Sequence, residues 1–217
     1  MKKCIILANG QAPQRRLLDY LFHQDYKKLF CADGGANSAV KLNVIPDYII
    51  GDFDSIKPEV YDYFLDKCKI IHDKKQNNTD VEKCLEYAIK KNFKGTVLLG
   101  ATGDRLDHTF CNLGIVLKYF NRIKIEIIHQ RSILSAYTGK IILNTIPDEV
   151  ISLYGIDLKT RIKSSGLKYP LNNVTLPFGK KESTSNVAAG NKVHLQINGG
   201  IIFVIRNFDL LRKHDLF

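Results

Sequence analysis

The chain lacks the familiar phosphate-binding signatures. No G-x-x-x-x-G-K-[ST] occurs, which excludes a P-loop enzyme. Asp33-Gly34-Gly35-Ala36 does not fit G-x-G-x-x-G, so a dinucleotide fold of the usual kind is unsupported. No stretch reaches the roughly 20 apolar residues of a transmembrane helix. Met1-Lys2-Lys3 imitates the start of a secretion signal, but the apolar run behind it, Cys4 to Ala8, is too short for one and reads as a strand. The five cysteines form no C-x-x-C, and most sit in apolar runs. Such residues read as reduced, buried thiols of a cytoplasmic protein. Nor is there a dense Lys/Arg run. The net charge of +10 is spread along the chain, which favours anionic partners without singling out nucleic acid.

What is present is an ordinary globular composition over 217 residues, enough for one large domain or two small ones. Residues 1 to about 135 alternate strand and helix. Apolar runs at Cys4–Ala8, Leu29–Cys31, Tyr48–Ile50, Cys68–Ile71, Thr96–Leu99 and Ile123–Ile128 read as strands. Helices are expected at 14–22, 37–42, 58–67, 79–91 and 107–120. The clearest carries Val81, Cys84, Leu85, Ala88 and Ile89 on one stripe behind a Thr79-x-x-Glu82 capping box. Asp107 is the expected N-cap of the last. The alternation implies an α/β domain, with a mostly parallel sheet covered by helices on both faces. After residue 135 short β-type runs take over, and Asn198-Gly199-Gly200 looks like a hairpin turn. Residues 136–217 are therefore expected to form an all-β sandwich.

In an open α/β sheet, ligands bind outside the carboxyl ends of the strands. The loops at those ends hold Asn9-Gly10, Asp33-Gly34-Gly35-Ala36-Asn37, Gly51-Asp52-Phe53-Asp54-Ser55, Gln76-Asn77-Asn78-Thr79-Asp80 and Gly100 to His108. Four of these loops bring carboxylates. In an extended chain, Asp52 and Asp54 would point the same way, and two like charges at that range call for a cation or a proton. A hard divalent cation with oxygen ligands fits. Read by themselves, Asp54-Ser55 could mark a turn, Asp80 could serve only the helix dipole, and Asp107 could be only a cap. Their placement on one edge favours a common site, in which glycines and helix N-termini approach phosphate and magnesium bridges it to the acids.

The ordered set A-D-G-G-A-N (32–37), P-D (46–47), G-D-F-D-S (51–55), T-D with a following K-C-L (79–80, 83–85) and G-A-T-G-x-R-L-D-H (100–108) resembles the thiamin pyrophosphokinase family. So do S-G-L-K-Y-P-L (165–171) and S-T-S-N (183–186) of that family's thiamin-binding domain. The resemblance implies diphosphoryl transfer from ATP to thiamin with Mg²⁺, giving AMP and thiamin diphosphate. It also implies a homodimer whose site lies between the α/β domain of one subunit and the β domain of the other. By the same resemblance, Asp52, Asp54 and Asp80 are catalytic and hold the metal. Asp33, Gly34, Gly35, Asn37, Gln76, Thr79, Asp80, Arg105, Leu106, Asp107 and His108 serve ATP. Tyr169, Ser183, Ser185 and Asn186 shape the thiamin pocket. Two positions depart from the family pattern: Asn77, where many members have Asp, and Asp104, where Gly is usual. The alternatives are another magnesium-dependent phosphohydrolase or nucleotidyl transferase, or a basic nucleic-acid-binding protein. Neither nucleic acid nor membrane is expected as a partner.

Overall fold

Each of the six apolar runs in the first part of the chain becomes a strand of one parallel sheet. The computed structural model describes residues 1–75, 77–103 and 105–217. In order, the first compact unit, Met1–His129, contains β1 (Lys3–Leu7), α1 (Arg15–His23), β2 (Tyr26–Ala32), α2 (Gly35–Lys41), β3 (Tyr48–Gly51) and α3 (Pro58–Phe64). It continues with β4 (Lys69–His72), α4 (Asp80–Lys90), β5 (Gly95–Leu99), α5 (Leu106–Lys118) and β6 (Lys124–His129). The sheet order is β6-β5-β1-β2-β3-β4, and every pairing is parallel. From β1 the chain moves outward through β2, β3 and β4, then returns to place β5 on the other side of β1. The connections after β1 and β5 thus leave in opposite directions, which opens a crevice at their carboxyl ends.

The central strands are almost wholly buried. Cys4 to Leu7, Leu29 to Cys31, Ile49, Ile50 and Val97 to Leu99 are all at most 1% exposed. This explains why they read as continuous apolar runs rather than alternating ones. Helix α4 follows its sequence signature closely. Thr79 Oγ1 accepts from the Glu82 backbone N–H at 3.3 Å, and Glu82 Oε2 accepts from the Thr79 N–H at 3.0 Å. Its face of Val81, Cys84, Leu85 and Ala88 is buried. Helix α5 starts differently from expectation. Arg105, not Asp107, is the N-cap, and it makes no side-chain cap. Asp107 sits one residue inside the helix, where its charge opposes the positive end of the dipole.

The second unit, Gln130–Phe217, is an antiparallel β domain. It comprises β7 (Ser132–Asn144), β8 (Val150–Gly155), β9 (Arg161–Ser165), β10 (Val174–Thr175), β11 (Ser183–Val187), β12 (Lys192–Asn207) and the short α6 (Phe208–Lys213). Strands β7 and β12 pair along their whole length. The expected hairpin at Asn198-Gly199-Gly200 is absent. There β12 advances from Ile197 to Ile202 while β7 moves only from Gly139 to Tyr137, so the glycines form a bulge inside one continuous strand. The two halves of this bent ribbon pair with different neighbours: 194–198 of β12 with β9, and 202–206 with β8, which in turn carries β11. They share one core, with Ile151, Leu153, Ile162, Leu176, Val193, Ile202 and Val204 each at most 1% exposed. Among the described residues, no helix is long and apolar enough to cross a membrane.

The turn from β2 into α2 packs without slack. A Cβ on Gly35 would lie 2.0 Å from the Leu7 carbonyl oxygen of β1. Replacement Gly35→Ala should therefore push α2 off the sheet and lower stability by about 2–3 kcal/mol. Urea unfolding checks this, and an unchanged midpoint would contradict it.

Candidate active site

The crevice between β1 and β5 is closed at its base by backbone pairing that continues past the strands. Ala8 N–H donates to Leu99 O, Gly10 N–H to Gly100 O, and Gln11 N–H to Thr102 O, each at 2.8 Å. Above this base lies a cavity of about 520 Å³. Its walls come from the loops after β1, β2, β3 and β5 and from the start of α4. Asp33, Asp52, Asp54 and Asp80 all line it.

Asp33 anchors the cluster. It is 1% exposed, with a left-handed φ of +40°. Its two oxygens accept from the Ser55 N–H at 2.9 Å and the Ile56 N–H at 3.1 Å, which pins the loop after β3. Burial pushes its pKa up to about 6; the Ser55 and Ile56 N–H groups oppose this, while the Asp54 and Asp80 carboxylates add to it. Gly51 permits the close approach, since a Cβ there would stand 2.7 Å from Asp33 Cβ and 3.2 Å from Asp80 Oδ1.

The chain between Asp52 and Asp54 is not extended. Strand β3 ends at Gly51, and Phe53 takes a left-handed φ of +68°. Its ring packs 5.5 Å from Tyr61 and 5.0 Å from His72. The two acids therefore reach the cavity through a kink and not by the expected i, i+2 geometry of an extended chain. As a result, the carboxylates that come together are Asp33, Asp52 and Asp80, with one ligand oxygen from each within 4.8 Å of the others. Asp54 lies beside them, its Oδ1 accepting from the Ser55 hydroxyl at 2.8 Å.

Lys83 completes the centre. It sits one turn into α4, and its side chain is 2% exposed. Its ammonium donates to Asp80 Oδ1 at 2.8 Å and to Asp52 Oδ2 at 3.4 Å. Burial raises the pKa of Asp80, and Lys83 opposes the rise. Burial by itself would lower the pKa of Lys83, but the Asp80 and Asp52 carboxylates carry it upward instead. Asp52 Oδ1 is buried without a hydrogen-bond partner among the described residues. An orphaned carboxylate oxygen beside two more carboxylates is an all-oxygen donor set, and it fits a hard divalent cation such as Mg²⁺.

The other expected nucleotide residues are placed in different ways. Gly34, Thr79, Arg105 and His108 line the cavity. Gly35 and Asn37 stand behind it. Asn37 braces the β3 loop, donating to Ser55 O and accepting from the Lys57 N–H, both at 3.0 Å. Asp107 forms a two-pronged pair with Arg105 at 2.9 and 2.5 Å, and Arg105 holds its pKa well below the carboxylate range. Leu106 faces a neighbouring cavity with Gln11, Thr109 and His129. Gln76 and Asp104 lie outside the described residues. Asn77 lines the cavity, as do Asn9, Lys83 and Asn112, none of them expected as site residues. Asn112 donates to Ala101 O at 2.7 Å and so fixes the loop after β5.

In the β domain, Asn186 is 2% exposed and clamps the backbone of Tyr169. Its Oδ1 accepts from the Tyr169 and Val187 N–H groups at 3.1 and 2.9 Å. Its Nδ2 donates to Tyr169 O at 2.7 Å and Ser183 Oγ at 3.1 Å. That fills its hydrogen-bonding capacity within the chain. Tyr169 itself is 60% exposed. Ser185 takes a left-handed φ of +55°, and its N–H donates to Ser152 Oγ at 3.0 Å.

The raised pKa of Asp33 has a direct consequence. The metal-free fold holds this proton to higher pH than the unfolded chain does, so Asp33 contributes falling stability as pH rises from about 4 to about 6. Carbon-13 NMR should give a carboxyl midpoint near 6 without metal and a markedly lower one with Mg²⁺. A midpoint near 4 in the metal-free protein would contradict the burial argument.

The chain resembles known proteins over most of its length. The family model described as the thiamin pyrophosphokinase catalytic domain matches residues 20–128, and that of the vitamin B1 binding domain matches residues 140–202. Thiamin pyrophosphokinase 1 of Caenorhabditis elegans is 29% identical over 198 residues, covering 84% of this chain and 80% of that protein. Thiamine pyrophosphokinase 3 of Oryza sativa subsp. japonica is 30% identical, covering 72% of this chain and 69% of that protein. The solved structure of thiamine pyrophosphokinase from Bacillus subtilis superposes with a TM-score of 0.81 at 24% identity, over 96% of this chain and 100% of the other. The chain belongs to the thiamin pyrophosphokinase family.

Proposed function

We propose that the chain transfers the diphosphoryl group of ATP to the hydroxyethyl oxygen of thiamin, releasing AMP and thiamin diphosphate. The observation that carries this reading is the gathering of Asp33, Asp52 and Asp80 in the lining of a glycine-walled crevice of nucleotide size. Transfer of this kind depends on positioning and charge neutralisation more than on covalent help.

Asp33, Asp52 and Asp80 would hold Mg²⁺, with Asp54 beside them. When bound, the metal neutralises charge on the polyphosphate and on the departing AMP. Arg105, on the cavity wall, brings positive charge to the phosphates. Gly34, Thr79 and His108 lie where the nucleotide would pass, and the resemblance adds Gln76, Leu106 and Asp107. Asp54 is the best-placed proton acceptor for the thiamin hydroxyl. Asp33 is committed to two backbone N–H groups and Asp80 to Lys83, whereas Asp54 is exposed and accepts from the Ser55 hydroxyl beside it.

Thiamin is a cation with two aromatic rings, and the exposed face of Tyr169 suits it by stacking and cation–π attraction. Asn186 then serves by holding Tyr169 in place, with Ser183 and Ser185 on the same strand. The homodimer implied by the resemblance has support on α5. Leu106 and Phe110 are 70% and 63% exposed, and half-buried Leu113 and Leu117 continue their face. A magnesium phosphohydrolase built on the same acids would have no use for Tyr169 and its clamp. A nucleic-acid-binding protein would have no use for a cavity lined with four carboxylates.

Purified protein given ATP, Mg²⁺ and thiamin should form AMP, and omitting thiamin should stop it. ADP as product, or thiamin-independent phosphate release, would contradict the reading. Asp52→Asn should lower kcat about a hundredfold or more with the circular dichroism spectrum unchanged. Tyr169→Ala should raise the thiamin KM about fivefold to tenfold while leaving the ATP KM alone. Unchanged thiamin kinetics would remove Tyr169 from the acceptor site.

A further inference from the structure

Lys83 has an unusual position for a lysine. Its side chain is 2% exposed, and its neighbours on α4, Val81, Cys84 and Leu85, are buried and apolar. An ammonium buried there would be costly if left unpaired. It is held by the two carboxylates that the reaction would use for metal. Asp52 divides its oxygens: Oδ2 faces Lys83 at 3.4 Å, and Oδ1 has no partner among the described residues. Asp80 gives Oδ1 to Lys83 at 2.8 Å. The site therefore already contains one fixed cation within reach of the oxygens a second cation would bind.

We propose that Lys83 is a built-in counter-cation that makes the Asp33–Asp52–Asp80 cluster a poor divalent-metal site until a polyphosphate is present. This rests on the metal reading given above. A fixed positive charge repels a dication placed on the far side of the same carboxylates. A nucleoside triphosphate brings several negative charges, which Lys83 attracts and which offset that repulsion. Metal and nucleotide thus enter with positive coupling, and each raises the affinity of the other by the same factor. Lys83 acts here as a positioning residue that sets the order of charge in the site. A purely structural lysine, whose task was only to hold Asp80 in place, would have the opposite effect on metal binding when removed.

The test reads Mn²⁺ binding by electron paramagnetic resonance and calorimetry, using the full chain with and without a non-hydrolysable ATP analogue. In the absence of nucleotide, Lys83→Met should bind Mn²⁺ about tenfold more tightly than wild type. Lys83→Arg, which keeps the charge, should stay weak. The gain in Mn²⁺ affinity on adding the analogue should be large in wild type and smaller in Lys83→Met. If Lys83→Met does not give a native circular dichroism spectrum, Lys83→Gln takes its place in the same measurement. Unchanged or weaker Mn²⁺ binding in the neutral variant overturns the proposal and leaves the metal reading intact. If neither wild type nor variant binds Mn²⁺ even with the analogue, the metal reading itself fails, and the proposal with it.

Discussion

Like-charge repulsion is the constraint around which this molecule is arranged. Asp33, Asp52, Asp54 and Asp80 line one cavity, and without compensation such a group would not stay together. Three compensations are built in. Backbone N–H groups of Ser55 and Ile56 take both oxygens of Asp33. Burial favours a proton on Asp33. Lys83 stands between Asp52 and Asp80. What remains is Asp52 Oδ1, buried with no hydrogen-bond partner among the described residues, and it is the atom at which the proposed cation would bind.

The fold supplies this arrangement through a few local features. The return of the chain from β4 to β5 opens the crevice beside β1. Gly51 removes the one Cβ that would separate Asp33 from Asp80. The left-handed Phe53, packed against Tyr61 and His72, kinks the chain so that Asp52 and Asp54 both line the cavity. The capping box of Thr79 and Glu82 fixes the start of α4, and with it Asp80 and Lys83 one turn apart. Each feature is local in sequence. Their shared purpose appears only when the parallel sheet brings its strand ends to one edge.

That edge was legible in the sequence. Alternating apolar runs and helical stripes gave the strand order its raw material, and the Asp-rich, Gly-rich loops fell at strand ends. The carboxylate cluster was legible only in part. Asp33 was expected to serve ATP, yet it stands within ligand range of Asp52 and Asp80, because backbone curvature at Phe53 is not encoded in an i, i+2 spacing. Lys83 and Glu82 look like members of a polar helix face, and a charge pattern alone cannot show that both are buried. In the β domain, a glycine pair that reads as a hairpin turn is equally compatible with a bulge in one long strand, and only the partner β7 decides. The motif marks Asn186 as an expected residue of the thiamin pocket. Its work as a clamp on Tyr169 depends on residues 17 positions apart meeting in space.

On the proposed reading, phosphate chemistry belongs to the carboxylate crevice in residues 1–129 and recognition of thiamin to the Tyr169–Asn186 region in residues 130–217. The central claim concerns the first of these, that the acids are a metal–nucleotide site rather than a charge network stabilising the fold. Anomalous diffraction from crystals grown with Mn²⁺ and a non-hydrolysable ATP analogue tests it most directly. The account predicts a metal peak about 2.1–2.2 Å from oxygens of Asp52 and Asp80, in contact with the analogue's phosphates. A peak elsewhere, or nucleotide bound in the crevice with no metal on these carboxylates, would contradict it.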